Sequence, residues 1–180
     1  MSKCKVCKTK FEPRFFLQKT CMNPTCLAEW SKLEREKKQK VKDKKTKERL
    51  KTKSQYNKEA QIVINKYVRI RDSKKPCVSC DSALSVEYGG TTDCGHYRSR
   101  GSASHLRFNL FNMAAQCSRC NRYLSGNVVE YRKELIKRIG LDGVEKIEQD
   151  NQPRIFTIEY LARIKQIFTK KARLYEKQFR

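Results

Sequence analysis

The stretch from Cys77 to Asn121 decides how this chain folds. It reads Cys77-Val-Ser-Cys80, then Asp93-Cys-Gly-His96-Tyr97-Arg98, then Arg107-Phe-Asn109 with Asn112, and closes on Cys117-Ser-Arg-Cys120-Asn121. A Cys-x2-Cys pair offers two thiolates to one ion, and two such pairs complete a tetrahedral zinc site. The 36 residues between the two pairs are punctuated by Gly and Ser. Such a loop-rich segment buries too little surface to fold alone, and metal binding supplies the missing free energy. Four thiolates leave no open coordination position, so this zinc is structural and the chemistry must lie inside the staple.

His96 and His105 are the chain's two histidines. A neutral imidazole takes a proton from water near neutral pH. A carboxylate three residues before His96, Asp93, suits a hard cation such as Mg²⁺. Asn121 directly follows the last cysteine, so whatever fixes Cys120 also aims Asn121, and its amide oxygen is a second hard donor. Blander readings compete. Cys94 and His96 can replace one cysteine pair at the zinc, Asp93 can close a turn, and Asn121 can cap a helix. His105 has no acid beside it and reads as a surface residue or a nucleic-acid contact. Cys94 reads as a small buried hydrophobe.

Upstream, Cys4-x2-Cys7 and Cys21-x4-Cys26 form a second four-cysteine set. Residues 1–30 therefore read as a small zinc ribbon or knuckle, with Phe11, Phe15, Phe16 and Leu17 as a miniature core. Residues 31–58 form a basic helical arm: Lys, Arg, Glu and Gln dominate, Gly and Pro are missing, and no apolar stripe develops. Residues 59–180 hold the zinc-stapled core and its helices. An apolar helix from about Glu59 carries Ile62, Val63, Ile64, Tyr67, Val68 and Ile70, with Pro76 as its stop. Asn127 with Glu130 resembles a capping box, Gly140 suits a helix end, and Asp142 with Glu145 marks another start. A last helix begins near Thr157 with Ile158, Leu161, Ile164, Phe168 and Tyr175 in a stripe. The class is α+β, mostly α.

Lys and Arg outnumber Asp and Glu by 42 to 19, a net charge of +23. That excess favours a polyanionic partner, because each neutralised phosphate releases a condensed counterion. Between residues 32 and 58, thirteen Lys or Arg face four acids. Lys37, Lys38, Lys42, Lys44, Lys45 and Arg49 in the arm are candidate phosphate contacts, as are Arg98, Arg100, Arg107 and Arg122 in the core. No membrane role is expected, since no run of about 18 apolar residues occurs and no apolar segment follows the basic N-terminus. The expectation is an intracellular protein, whose nine cysteines serve metal rather than disulfides.

These elements, in this order, resemble one known family. Asp93 to Arg98, Leu106 to Asn109, Cys117 to Asn121, Ser125 to Asn127 and Tyr131 to Leu135 match the NinG (Rap) recombination proteins of lambdoid phages. The Cys-x2-Cys pairs with a trailing Asn also resemble phage junction-resolving endonucleases of the His-Me finger (HNH, ββα-metal) class. The resemblance implies a structure-specific endonuclease for branched double-stranded DNA, including Holliday junctions and D-loops, acting in the host cytoplasm. It implies His96 as general base and one Mg²⁺, replaceable by Mn²⁺, on Asp93 and Asn121. Arg98 or Arg100 would stabilise the transition state, and Asn109 or Asn112 would hold the His96 loop. The two zinc ions remain structural. Many members of the wider class place an acid or histidine directly before the base, where this chain has Gly95. Junction resolution needs two active sites, so a homodimer through the helices at 127–140 and 157–178 is a further expectation. The competing readings are a non-enzymatic zinc-dependent DNA-binding protein, in recombination or regulation, and an RNA-binding zinc protein.

Overall fold

A computed structural model of the chain describes residues 1–85 and 92–178. The chain divides into two compact units, Met1–Lys51 and Thr52–Arg180. Among the described residues the architecture is mostly helical with two small sheets. No described helix is long and apolar enough to cross a membrane.

The first unit opens with a hairpin, β1 (Ser2–Lys3) against β2 (Lys10–Phe11), antiparallel with Ser2 opposite Phe11. Cys4 and Cys7 lie in its turn, and Cys26 lies in the first turn of α1 (Pro24–Arg49). The arm helix thus begins at Pro24 and takes in part of the cysteine module. Its start follows from local chemistry: the Asn23 side chain accepts from Thr25 N at 2.9 Å, and Pro24 fills the first helical position, where its missing N–H costs nothing. The arm read as continuous to residue 58 divides after Leu50. Thr52 and Gln55 form a reciprocal capping box, which starts a second helix there.

Phe15, Phe16 and Leu17 do not form the expected miniature core. They are exposed by 62, 90 and 69 %, and Phe11 is only half-buried. The buried residues of this module are Cys4, Cys26, Gln18 and Thr20, so the cysteine cluster itself is the core.

In the second unit, α2 (Lys53–Arg71) lies along α5 (Ile158–Gln178). Ala60, Ile64, Tyr67 and Val68 recur at helical spacing and pack with Leu161, Phe168 and Ala172. Part of the apolar stripe of α5 is thus covered by α2 within the chain, while Ile158 stays exposed. Helix α2 ends at Arg71, before Pro76, because Asp72 turns inward. Its buried carboxylate accepts from Arg71 at 2.7 Å and from the backbone N–H of Ala115 at 3.0 Å. That bond anchors the helix end to a central ribbon, β3 (Thr92–His96) against β4 (Met113–Cys117), antiparallel with His96 opposite Met113.

A π-helical turn (Arg119–Tyr123) follows β4, then α3 (Val128–Ile139) and α4 (Leu141–Gln149). Tyr131 and Leu135 of α3 and Val144 and Ile147 of α4 close a second core with Val78, Tyr97 and Leu106. The capping box expected at Asn127 and Glu130 does not form. Asn127 has left-handed backbone (φ 43°) and donates to the Ser79 carbonyl, while Glu130 pairs with Lys133. Gly140 takes the helix-ending positive φ that its side-chain-free backbone permits.

Candidate functional site

Both four-cysteine sets come together. The ligand atoms of Cys4, Cys7, Cys21 and Cys26 lie within 4.8 Å of one another, as do those of Cys77, Cys80, Cys117 and Cys120. Cys7 to Cys21 is 3.8 Å and Cys80 to Cys117 is 3.7 Å between sulfurs. Zn–S bonds of about 2.3 Å at tetrahedral angles give a sulfur–sulfur edge of about 3.8 Å. Both clusters are thus the right size and donor type to hold zinc. Backbone N–H groups of Ser79 and Cys117 point at Cys77 Sγ, and that of Cys120 at Cys117 Sγ, as suits thiolates. The second cluster pins the loop after α2 to the end of β4 and the π-helical turn.

The ribbon distributes the candidate chemistry. Residues two apart share a face of a strand, so Cys94 and His96 point one way and Asp93 and Gly95 the other. His96 lines a cleft of about 740 Å³ together with Asn65, Arg100, Asn121 and Gly126. Its Nε2 lies 3.2 Å from the Arg107 carbonyl oxygen. A carbonyl only accepts, so Nε2 carries the hydrogen and the neutral ring keeps its lone pair on Nδ1. Burial pushes the His96 pKa down to about 4, outweighing the Arg107 carbonyl, and the charges of Arg100 and Arg107 act in the same direction as burial. Neither His96 nor Cys94 belongs to a cysteine cluster.

Asp93 meets Asn121 and Arg122. Asn121 Nδ2 donates to Asp93 Oδ2 at 3.1 Å, and the Arg122 guanidinium holds both carboxylate oxygens at 2.7 Å. Burial raises the Asp93 pKa, but Arg122 and Asn121 outweigh it and hold the carboxyl below the ordinary range. The carboxylate and the Asn121 amide oxygen are hard donors of the type a divalent cation uses, but Arg122 already holds both carboxylate oxygens. Arg122, taken from sequence as a phosphate contact, is thus engaged with Asp93.

Other expected residues serve elsewhere. Arg98 lines the cleft, but its guanidinium is bound at the end of α4, where it donates to the carbonyls of Ile147, Glu148 and Asp150 and to Asn151. A cation is favoured there by the orphan carbonyls of a helix C-terminus. Asn112 is fully buried and braces the backbone after His96, accepting from Arg98 N and donating to the Arg98 and Leu106 carbonyls. It touches no solvent, so it positions the loop. Asn109 caps the turn at Leu110 through Phe111 N. His105 faces the Asp150 carbonyl and is half-buried. Arg100 is exposed at the cleft, and its charge, after burial, lowers the pKa of Arg107.

One residue escaped sequence reading altogether. Gln116 is buried, and its Nε2 donates to Ser79 Oγ and to the Gly126 carbonyl. A Cβ on Gly95 would lie 2.2 Å from its Oε1. Gly95 is therefore required by Gln116, whose side chain ties β4 to the loop of the second cysteine cluster. Nothing in the local pattern marks a glutamine in an apolar strand as such a tie.

The chain matches the family described as Bacteriophage Lambda NinG protein over residues 1–178. It is 39 % identical over 186 residues to the protein ninG of Escherichia phage 933W, covering 94 % of this chain and 90 % of that one. It is 42 % identical over 122 residues to the protein ninG of Escherichia phage lambda, covering 68 % of this chain and 58 % of that one. The corresponding protein of Salmonella phage P22 is 40 % identical over 122 residues. No solved structure matches the chain.

Proposed function

The chain belongs to the NinG family, and from that premise we propose that it is a metal-dependent endonuclease of the His-Me finger class that cuts branched DNA. The observation that carries the reading is His96. It is a neutral, half-buried histidine whose Nε2 faces the Arg107 carbonyl, placed in a cleft shared with Asn121. The support for the class is a two-stranded ribbon carrying the base, followed by a helical turn carrying an amide ligand beside a carboxylate.

In this mechanism His96 Nδ1 takes the proton from the attacking water. An oxygen–phosphorus bond forms as the bond from phosphorus to the leaving 3′ oxygen breaks. Asn121, which lines the His96 cleft and bonds Asp93 on the other face of the strand, would hold Mg²⁺ with that carboxylate, and the ion would supply stabilisation of charge on the phosphate and the leaving oxygen. Arg100 and Arg107 provide the positive field at the cleft, a role that Arg98, bound to α4, does not fill. Asn112 holds the loop so that the Arg107 carbonyl meets the imidazole. The lysines of α1 supply phosphate contacts of little base specificity and strong salt dependence.

The test is Mg²⁺-dependent nicking of a labelled four-way junction, a linear duplex and a single strand, with EDTA as control. Cleavage of the junction is expected, and His96→Ala should lower it by a factor of about 10² or more with junction binding retained. Absence of Mg²⁺-dependent cleavage on every substrate overturns the reading. A second reading, a zinc-dependent DNA-binding protein without catalysis, is favoured by one observation: Arg122 occupies both oxygens of Asp93.

A further inference from the structure

Phe15, Phe16 and Leu17 form an apolar tip on the N-terminal unit, three consecutive side chains exposed by 62, 90 and 69 %. The tip is built rather than loose. Gln18, buried behind it, accepts from Arg14 N at 2.7 Å through Oε1 and donates from Nε2 to the Thr20 carbonyl at 2.8 Å. Gln18 N closes the turn on the Phe15 carbonyl. Leu17 holds a left-handed backbone, φ 67°, which disfavours a residue with a Cβ. The loop is further tied to the hairpin by Lys5 N on the Lys19 carbonyl. A strained, clamped loop that presents two phenyl rings outward is shaped for contact.

Charge identifies the partner. The unit Met1–Lys51 carries seventeen Lys or Arg against six acids, with exposed Arg14 and Lys19 beside the tip. Aromatic rings framed by cations fit nucleic acid whose bases are unstacked, because phosphate binds the cations and a base face stacks on a ring. Apolar side chains inserted at a distorted step are a general way for proteins to hold bent or open DNA. A lipid surface fits less well: α1 continues the charge but has no apolar face to lie in an interface.

We propose that Phe15 and Phe16 insert at the branch point of DNA and stack on its exposed bases, giving the N-terminal module a preference for branched over linear DNA. The proposal rests on the reading of the chain as a branched-DNA nuclease for its partner, and not on the residues of the cleft. The experiment uses the full chain, a four-way junction carrying 2-aminopurine at the branch point, and a linear duplex of equal length. Wild type should raise the 2-aminopurine signal on binding. Phe15→Ser/Phe16→Ser should abolish that rise and weaken junction binding by roughly tenfold, with duplex binding changed less than about twofold and zinc content unchanged. Phe16→Trp should preserve the signal. Unchanged junction binding in the double variant, or equal loss on junction and duplex, overturns the proposal. So does a loss confined to anionic phosphatidylserine vesicles or to self-association. No DNA binding by wild type overturns the nuclease reading as well, whereas binding and cleavage that persist without the tip leave that reading standing and sink this one.

Discussion

Arg122 closes both carboxylate oxygens of Asp93, each at 2.7 Å, at the place where a divalent cation is expected. A guanidinium and a divalent cation on one carboxylate repel each other and share its acceptor sites, so Arg122 opposes metal binding. Arg122 is 65 % exposed in its side chain, and exposed pairs are worth at most about 1 kcal/mol. Arg122→Ala should therefore tighten Mn²⁺ binding, by no more than about fivefold. Electron paramagnetic resonance of free Mn²⁺ without DNA measures this directly. Equal affinity in both proteins would mean that Arg122 does not compete.

The burial of His96 predicts a pH signature. The unfolded ring takes its proton near pH 6.5, whereas the folded ring resists until about 4. Between those values the unfolded chain binds more protons, so stability falls as pH drops through that window and levels off below it. Denaturant unfolding of wild type should therefore lose more stability between pH 7 and 4.5 than His96→Gln does. Parallel losses would place His96 in water. Cleavage should likewise persist below pH 6.5, since the ring is still neutral there.

Gly95→Ala should destabilise the second unit by about 1–3 kcal/mol, the usual cost of an overpacked site. Gln116 has no room to retreat, because its Nε2 is held by Ser79 and Gly126. Gln116→Ala in the same chain should recover part of that loss in a double-mutant cycle, and additive effects would refute the clash.

Arg98→Ala separates scaffold from DNA contact. The guanidinium makes four bonds across the end of α4. Its loss should cost about 2 kcal/mol in unfolding experiments, with junction affinity within about twofold. A large loss of affinity at unchanged stability would restore Arg98 to the DNA surface.

Two zinc ions per chain are expected by elemental analysis. Cys7→Ser and Cys80→Ser should each remove one, because each belongs to a separate cluster. Only the second variant should unfold the ribbon, since its cluster pins the end of β4.

The cysteine clusters and the helix faces were legible because both depend on spacing alone. Thiolate pairs announce themselves, and Ala60, Ile64, Tyr67 and Val68 repeat with the helix. The misreadings share a cause. Phe15, Phe16 and Leu17 look like core by composition, but a metal-sized cluster of sulfurs already fills the module's interior. Arg98 and Asn127 look like a DNA contact and a helix cap, yet their partners, the α4 carbonyls and the Ser79 carbonyl, lie about fifty residues away in sequence. Of the site, His96 and the pairing of Asp93 with Asn121 could be anticipated from residue type. The carbonyl that selects the His96 tautomer could not, because a main-chain acceptor at Arg107 leaves no mark on sequence.

The contact between Gly95 and Gln116 also carries a consequence for descent. A lineage that acquires an acid or histidine directly before His96 by one substitution loses stability, because the new Cβ meets the held amide of Gln116. Shrinking the glutamine removes that contact, but it frees Ser79 and loosens the loop of the metal staple. The two positions are therefore coupled, and homologues with a bulky residue before the histidine should carry a small one in place of Gln116.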